Sequence, residues 1–349
     1  MKTKYFDNKL KLFIGVDDSS VPDINSHNHV ADVPFKKVNF VKNRKWFYLG
    51  SITVLIIGLI SLCMNGLNLG IDFKGGSSIT LNSDKVVSEK QLNKDFSELK
   101  LNAYDITFAT DNNIVINVSD TLSRTQIAKV STYFENKYAA KTDIGVVSNV
   151  VKNELIKNAT LAVILASLAI ILYISFRFTF KYAVAAIISL AHDVFMIIAM
   201  FSLFKIEVSS IFIAAILSII GYSINDTIVT FDRIRENIKL KHKNKLKDAS
   251  ELSEVINISL RQTLVRSIIT TLTTLIPVVS LILLGSHEII NFNLALLFGL
   301  VTGVYSSIFI AAQLWFDFNK KNVSHTTKKK WYEEKLNEKD ELTVSGINA

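Results

Sequence analysis

Six long apolar runs, each nearly free of charge, constrain this 349-residue chain more than any other feature. Each run contains 19 to 28 residues between flanking charges, and about 20 residues are needed to cross ~30 Å of hydrocarbon as a helix. The pattern predicts a polytopic α-helical membrane protein with six transmembrane helices. The first run follows a polar segment, so we interpret it as a retained anchor and not as a cleavable signal peptide. The expected spans are 46–69, 158–176, 182–204, 208–231, 262–285 and 292–316.

The charges between the runs predict the orientation. On one side, the segments 1–45, 177–181, 232–261 and 317–349 together have a net charge of +10, whereas the other side has a net charge of −1. By the positive-inside rule, both termini and the basic loop 232–261 are expected in the cytoplasm, and segment 70–157 is expected to be exported. The overall charge of +8 then reflects topology, so we expect membrane lipid and no nucleic acid as a partner.

The exported segment 70–157 is long enough for a small α+β domain. Alternating residues predict strands and a 3.6-residue period predicts helices in the order βαββαβ, which is that of the ferredoxin-like fold. Gly75 and Gly76 are expected to permit a tight exit from the membrane into the first strand. The expected elements are a strand at 77–82, a helix at 87–99, a hairpin of 106–110 and 114–118, a helix beginning at Ser123 and a strand at 144–151.

Several classes of chemistry lack their sequence signatures. A single cysteine, Cys63, excludes an intrachain disulfide framework, and there is no Cys/His spacing typical of a metal site. The GxxxxGK[ST] phosphate loop is also missing. We therefore expect no metal, no cofactor and no enzyme activity, and we expect any energy to come from an ion gradient or a partner.

Three charged residues lie inside the expected spans. Asp193, Asp226 and Arg266 are about 18, 9 and 8 Å from the cytoplasmic flanks at 1.5 Å per residue, and such charges cost about 2.5 to 3.5 kcal/mol at a span centre. We interpret them as candidate proton-coupling residues, with Arg266 gating a carboxylate that takes up and releases a proton. The alternative is a static ion pair of Asp226 with Arg266, and for His192 the alternative role is only to help Asp193 to hydrogen-bond.

Hydroxyl residues accompany these charges at helical spacing. They predict two facing polar stripes that could hold a short water wire, although such stripes also serve as ordinary contacts between membrane helices. On the sixth span, Gly299, Gly303 and Ser307 form a small-residue seam, for which packing is the favoured interpretation. The stripe of span four contains Ser223, Thr227 and Thr230, and that of span five contains Thr263, Ser267, Thr270 and Thr274.

Five sequence motifs resemble the SecD/SecF family of bacterial protein-export membrane proteins, and SecF-type members in particular. The longest and most specific is GYSINDTIVTFDRIREN at 221–237, whereas GIDFKGG at 70–76 marks both branches of the family. The others are VNFVKNRKWF at 38–47, AHDV at 191–194 and SLRQTLVRSIITTLTT at 259–274. The resemblance extends from about residue 38 to residue 316 and does not cover either end of the chain.

The resemblance implies a function and a set of partners. It implies a subunit of the bacterial inner membrane, similar to the RND exporters, that pairs with SecD. The pair would act with the SecYEG channel, YajC and the SecA ATPase, using the proton motive force late in the export of unfolded preproteins. Two alternatives stay open, a noncatalytic scaffold of the translocase and half of an RND-like small-molecule exporter. A small exported domain leaves little room for a ligand cleft of ~300 to 1,000 Å³, which counts against the exporter.

Overall fold

A computed structural model describes residues 38–83, 87–108, 113–242, 246 and 248–320. Within these ranges six helices are long and apolar enough to cross a membrane, which confirms the predicted architecture. The sixth continues from an α-helix through a π-helical turn at Ser307–Ala311 and ends at Lys320. The six are α1 (Arg44–Asn65), α5 (Asn149–Arg177), α6 (Phe180–Leu203), α7 (Ser210–His242), α8 (Ala249–Leu284) and α9 (Ile290–Ser306).

Three of these helices extend well beyond the predicted spans. Helix α5 begins at Asn149 and not at residue 158, while α7 and α8 continue into the segment 232–261 that was expected to be a loop. Charge spacing marks the hydrocarbon boundary, but the backbone stays helical until a capping group stops it. Ser148 provides this cap for α5, and Asp248 provides it for α8 by accepting bonds from two backbone amides at 2.9 Å.

The six helices divide into a central and a peripheral set. In α6 and α9, 56% of the most apolar 18-residue window is buried, and in α7 44% is buried. The corresponding values are only 17% in α1 and α8 and 6% in α5. The core is therefore built from α6, α7 and α9, and the outer faces of the other three are left to lipid or to a partner.

The predicted small-residue seam brings α9 against α7. A Cβ at Gly299 would lie 2.2 Å from Ile219 Cδ1, and one at Gly303 would lie 3.2 Å from the Cβ of Ser223. No larger residue fits at Gly299 without displacing the neighbouring helix. The seam thus supports the packing interpretation, and it places the polar face of α7 next to α9.

The segment between α1 and α5 folds as the predicted ferredoxin-like domain. Its sheet is antiparallel in the order β3-β4-β2-β5, and α3 and α4 cover one face. Side chains such as Ile79, Phe96 and Phe134 fill the core between sheet and helices. The elements are β2 (Gly76–Asn82), α3 (Glu89–Glu98), β3 (Ala103–Phe108), β4 (Asn113–Val118), α4 (Arg124–Tyr138) and β5 (Lys141–Val147).

Two expectations for this domain have different outcomes. Ser123 begins α4 as predicted, and it forms a reciprocal capping box with Gln126. The last strand is Lys141–Val147 and not 144–151, because Ser148 caps α5 and its following residues belong to that helix. Of the residues expected to form the hairpin turn, Asp111 and Asn112 lie outside the described residues, and Asn113 begins β4.

A short junction joins this domain to the helix bundle. Strands β1 (Asn68–Leu69) and β6 (Glu207–Val208) pair in parallel, and the one-turn helix α2 (Ile71–Lys74) follows β1. Asp72 Oδ2 accepts a hydrogen bond from the backbone amide of Ser210 at 2.7 Å, at the start of α7.

The glycine pair turns the chain from α2 into β2. Gly75 and Gly76 have φ values of 78° and 116°, a region that favours glycine. A Cβ at Gly76 would also lie 2.2 Å from the carbonyl oxygen of Val118. The tight exit therefore requires glycine at this position for two independent reasons.

A cleft of about 730 Å³ separates the uncovered face of the sheet from the outer ends of the helices. The small domain therefore leaves more room for a cleft than expected. Polar side chains of the sheet and apolar side chains such as Phe204, Ile206 and Ile211 line it together. The polar lining residues include Ser78, Thr80, Asn82, Thr142 and Asn291.

Candidate functional site: the intramembrane carboxylates

Asp193 joins the three central helices. It lies in the middle of α6 and is 1% exposed. Its Oδ2 accepts hydrogen bonds from Ser223 Oγ of α7 at 2.6 Å and from Ser306 Oγ of α9 at 2.7 Å. A carboxylate is tolerated in an apolar bundle when donors of this kind surround it. Ser223, predicted to be part of a polar pathway, therefore contacts Asp193.

His192 extends this contact to a peripheral helix. Its Nδ1 lies 3.2 Å from Asp193 Oδ1, and its Nε2 lies 2.5 Å from Ser51 Oγ of α1. The imidazole is 7% exposed, so the polar chain from Ser51 to Asp193 is sealed from the surroundings of the bundle. His192 thus contacts the carboxylate directly, in line with the helper role considered for it.

Asp226 has a different environment. Its Oδ1 accepts a hydrogen bond from Ser267 Oγ of α8 at 2.5 Å. Its Oδ2 is buried and has no hydrogen-bond partner among the described residues. The next residue, Thr227, has its Oγ1 2.9 Å from Ser307 Oγ of α9. About one turn beyond Asp226, Thr230 Oγ1 is buried without a partner in the described part of the chain. The polar face of α7 therefore meets both α8 and α9.

Arg266 does not pair with Asp226. No ion pair between the two is present in the described structure, and the Arg266 side chain is exposed. Arg266 instead lines a cavity of about 1050 Å³ at the charged end of the bundle, between the α5–α6 turn, α7 and α8. It still acts on Asp226 electrostatically. Asp226 itself does not line this cavity.

The two predicted hydroxyl stripes face each other only in part. Thr270 Oγ1 donates to the carbonyl of Arg266 at 2.8 Å, and Thr274 Oγ1 donates to the carbonyl of Thr270 at 2.9 Å. Both hydroxyls are therefore satisfied by their own helix. The residues of α8 that face the bundle follow an i, i+4 spacing and are Thr263, Ser267 and Thr271, whose hydroxyl lies 3.0 Å from Tyr222 Oη.

Charged residues close the other wall of the cavity. Asp232 of α7 contacts Arg177 at the end of α5 at 3.0 Å and Arg235 at 3.4 Å, while Arg233 contacts Glu236 at 2.6 Å. These pairs are exposed, so each contributes little to stability. They place charged side chains around the cavity that Arg266 also lines.

Two residues of this site were missed by the sequence analysis. Ser51 and Ser306 both lie within apolar runs, where a serine does not interrupt the hydropathy pattern. The only available signal for Ser306 was its position next to Ser307 in the small-residue seam.

A six-helix bundle with buried carboxylates held by hydroxyls of neighbouring helices, and with a ferredoxin-like domain between its first two spans, defines a polytopic membrane protein of transporter type. A family model described as "Protein export membrane protein SecD/SecF, C-terminal" matches residues 125–321, and a model of the SecD/SecF GG motif matches residues 60–85. The chain belongs to the SecD/SecF family of protein export membrane proteins.

Individual relatives agree with this assignment. The chain is 37% identical to protein translocase subunit SecF of Alicyclobacillus acidocaldarius, over 84% of this chain and 96% of the relative. It is 44% identical to protein translocase subunit SecDF of Bacillus subtilis, over 90% of this chain but only 43% of that relative. The crystal structure of SecDF from Thermus thermophilus superposes with a TM-score of 0.73 at 33% identity, covering 82% of this chain and 38% of the other. The chain thus spans less than half of the SecDF relatives.

Proposed function

We propose that this chain acts as the SecF part of a protein translocase, together with SecD, in the bacterial inner membrane. The match to a SecF relative over 84% of this chain and 96% of that relative supports this assignment. The charge asymmetry supports an orientation with both termini in the cytoplasm. The partners would include the SecYEG channel, SecA and YajC, and the substrates would be unfolded preproteins.

The proposed mechanism couples the proton motive force to a late step of export. The observation that supports it is the unpartnered Oδ2 of Asp226, buried in a helix bundle. An unpartnered buried acceptor on an ionised group is costly, and a bound proton relieves this cost by removing the charge. Asp226 would therefore alternate between a neutral form in this arrangement and an ionised form in another.

Arg266 and Asp193 have distinct roles in this proposal. The cavity at Arg266 would admit water near the charged end of the bundle, and the guanidinium would favour the ionised carboxylate of Asp226 when the two come closer. Asp193, whose carboxylate contacts side chains of two other helices, would transmit a change at Asp226 to α6 and α9. Ser223, Thr227 and Thr230 would form the polar path on α7, with Thr270 and Thr274 at its edge.

The test is preprotein export into inverted membrane vesicles that contain this chain, SecD and SecYEG, with SecA and ATP held constant. Asp226→Asn should remove the several-fold slowing that an uncoupler causes in wild type, at an equal level of inserted protein. Asp232→Asn is the matched control, because Asp232 lies two turns along the same helix but is exposed, and it should retain uncoupler sensitivity. Wild-type rate and sensitivity in Asp226→Asn would contradict the proposal. Replacing Na⁺ by K⁺ in the same assay distinguishes a proton from a sodium gradient.

A noncatalytic scaffold is the second candidate, and one observation favours it. Both oxygens of Asp193 contact polar partners within the bundle. A carboxylate that only holds neighbouring helices together needs this arrangement and no change of protonation. A scaffold predicts that Asp226→Asn exports normally whenever the protein is inserted, so the same assay separates the two functions.

A further inference from the structure

The junction between the exported domain and the bundle contains a half-buried acid, Glu207 of β6. Its Oε2 accepts a long hydrogen bond of 3.4 Å from Asn117 Nδ2 of β4. Glu207 also lies against the first glycine of the GIDFKGG motif. A Cβ at Gly70 would be 2.3 Å from Glu207 Oε1, so the absence of a side chain at Gly70 makes the space for this carboxyl group. The contact thus links the sheet to the outer end of the bundle.

Two buried oxygens beside this contact lack a donor. Asn117 is 2% exposed, and its Oδ1 has no hydrogen-bond partner among the described residues. Asp105 of β3 is paired with Asn117 in the sheet register, and its Oδ2 is likewise buried without a partner within the described ranges. Unsatisfied buried acceptors are rare, and each one costs about 1 to 3 kcal/mol. The junction is therefore short of hydrogen-bond donors and rich in acceptors.

The charges around Glu207 have mixed signs. Asp105 and Asp72 interact with Glu207 electrostatically as negative charges, and Lys74 interacts with it as a positive charge. Asp72 already accepts the backbone amide of Ser210. The cleft next to Glu207 is also lined by Lys205, Lys141, Asp143 and Glu288.

We propose that this junction is a proton-binding site, in which one proton is held between Glu207 and Asp105 while the exported domain is seated on the bundle. The proton supplies the donor that Asp105 Oδ2 lacks, and it removes one of the two negative charges. Loss of the proton leaves two carboxylates in a partly desolvated space, which weakens the seating of the domain.

The electrostatic environment supports this geometry. Burial raises the pKa of Glu207 above its ordinary value, and Asp105 and Asp72 raise the pKa further, against the lowering effect of Asn117 and Lys74. A pKa that is higher in the seated state means that seating is strongest at low pH and weakens as the pH rises through that pKa. With the orientation proposed above, this acid faces the outer compartment, from which protons would enter.

The experiment uses the full chain in phospholipid nanodiscs, with Cys63→Ser as the background. Spin labels are placed at Asn82 and Ser286, which line opposite walls of the cleft, and their separation is measured by pulsed EPR between about pH 4.5 and pH 8.5. In the wild-type background, the short-distance population should decrease as the pH rises. Glu207→Gln, which is permanently neutral, should keep the short distance at every pH.

Two further variants make the test decisive. Asp105→Asn removes a neighbouring negative charge, so the midpoint should move to lower pH by on the order of one unit. Glu288→Gln is the matched control, because Glu288 lines the same cleft but is not bonded to Asn117, and it should retain the wild-type midpoint. A pH-independent distance in wild type, or a wild-type titration in Glu207→Gln, would overturn the proposal. If Glu207→Gln does not insert, an unchanged midpoint in Asp105→Asn overturns it. No preprotein or partner is present, so the outcome is independent of the proposed role in export.

Discussion

At the residue scale, Asp193 and Asp226 have different environments, although the same sequence feature, a carboxylate inside an apolar run, identified both. Asp193 is held by hydroxyls from two neighbouring helices, whereas Asp226 has one bonded and one unpartnered oxygen. The free-energy cost of a charge in an apolar run shows that each carboxylate needs a partner. It does not show which residue that partner is. That choice depends on the rotation of each helix against its neighbours, which a single amphipathic period does not determine.

Ser306→Ala tests the joint at Asp193. It removes one of two hydroxyl donors to a buried carboxylate, which should lower the free energy of unfolding by about 1.5 to 3 kcal/mol. Ser280→Ala is the control, because Ser280 is exposed on α8 and bonds to the carbonyl of Ile276 in its own helix at 2.8 Å. Thermal unfolding in detergent measures both variants, and equal stabilities would show that Asp193 does not depend on Ser306.

Arg266→Lys tests the gating role of the guanidinium. If Arg266 meets Asp226 for part of a cycle, lysine should perform poorly despite its charge, because it lacks the planar fork that matches a carboxylate. The expected result is a loss of most of the uncoupler-sensitive export, close to that of Arg266→Ala. Arg235→Lys, in the same cavity, serves as the control and should export normally. A near-normal rate with full uncoupler sensitivity in Arg266→Lys would mean that only a positive charge is needed.

At the element scale, the sequence predicted the helices better than their ends or their faces. Six charge-poor runs were sufficient for six spans, because an apolar stretch of this length has no other stable environment. The start of α8 at Ala249 was missed because polar residues continue a helix beyond the hydrocarbon. The stripe of Thr270 and Thr274 was assigned to the wrong face, because these hydroxyls can bond to their own helix as easily as to a neighbour.

Gly299→Val tests the packing of α9 on α7. The added side chain would collide with Ile219, whose Cδ1 is 2.2 Å from a Cβ at this position. Overpacking of this kind should cost about 1 to 3 kcal/mol and should reduce the amount of inserted protein. Gly50→Val is the matched control, since a Cβ at Gly50 in α1 has no heavy atom within 4 Å. Similar thermal stability of the two variants would contradict the seam as a packing contact.

At the scale of the whole molecule, the ferredoxin-like domain and the bundle are both visible in the sequence, but the junction between them is not. The paired two-residue strands β1 and β6 are too short to give a periodic signal. The contact of Glu207 with Asn117 joins residues 90 positions apart, and no local pattern relates them. The orientation of the whole molecule in the membrane stays a prediction of the charge asymmetry.

Cysteine labelling in cells, in a Cys63→Ser background, tests that orientation. A cysteine at Asn82 should react with an impermeant reagent only from outside the inner membrane, and one at Lys239 only from inside. Both positions are exposed in the structure, so lack of access cannot be attributed to burial. Labelling of Lys239 from outside would reverse the topology and the direction of the proposed coupling.

Helix α5 follows directly from the last strand of the sheet and runs to the far end of the bundle. Only Ser148 separates the last strand, which ends at Val147, from a continuous helix of 29 residues, about 43 Å long at 1.5 Å per residue. Its apolar window is only 6% buried, so the surrounding protein offers little resistance to a tilt. A rotation of the sheet would therefore tilt this helix and move its far end, where Arg177 contacts Asp232 beside the charged cavity.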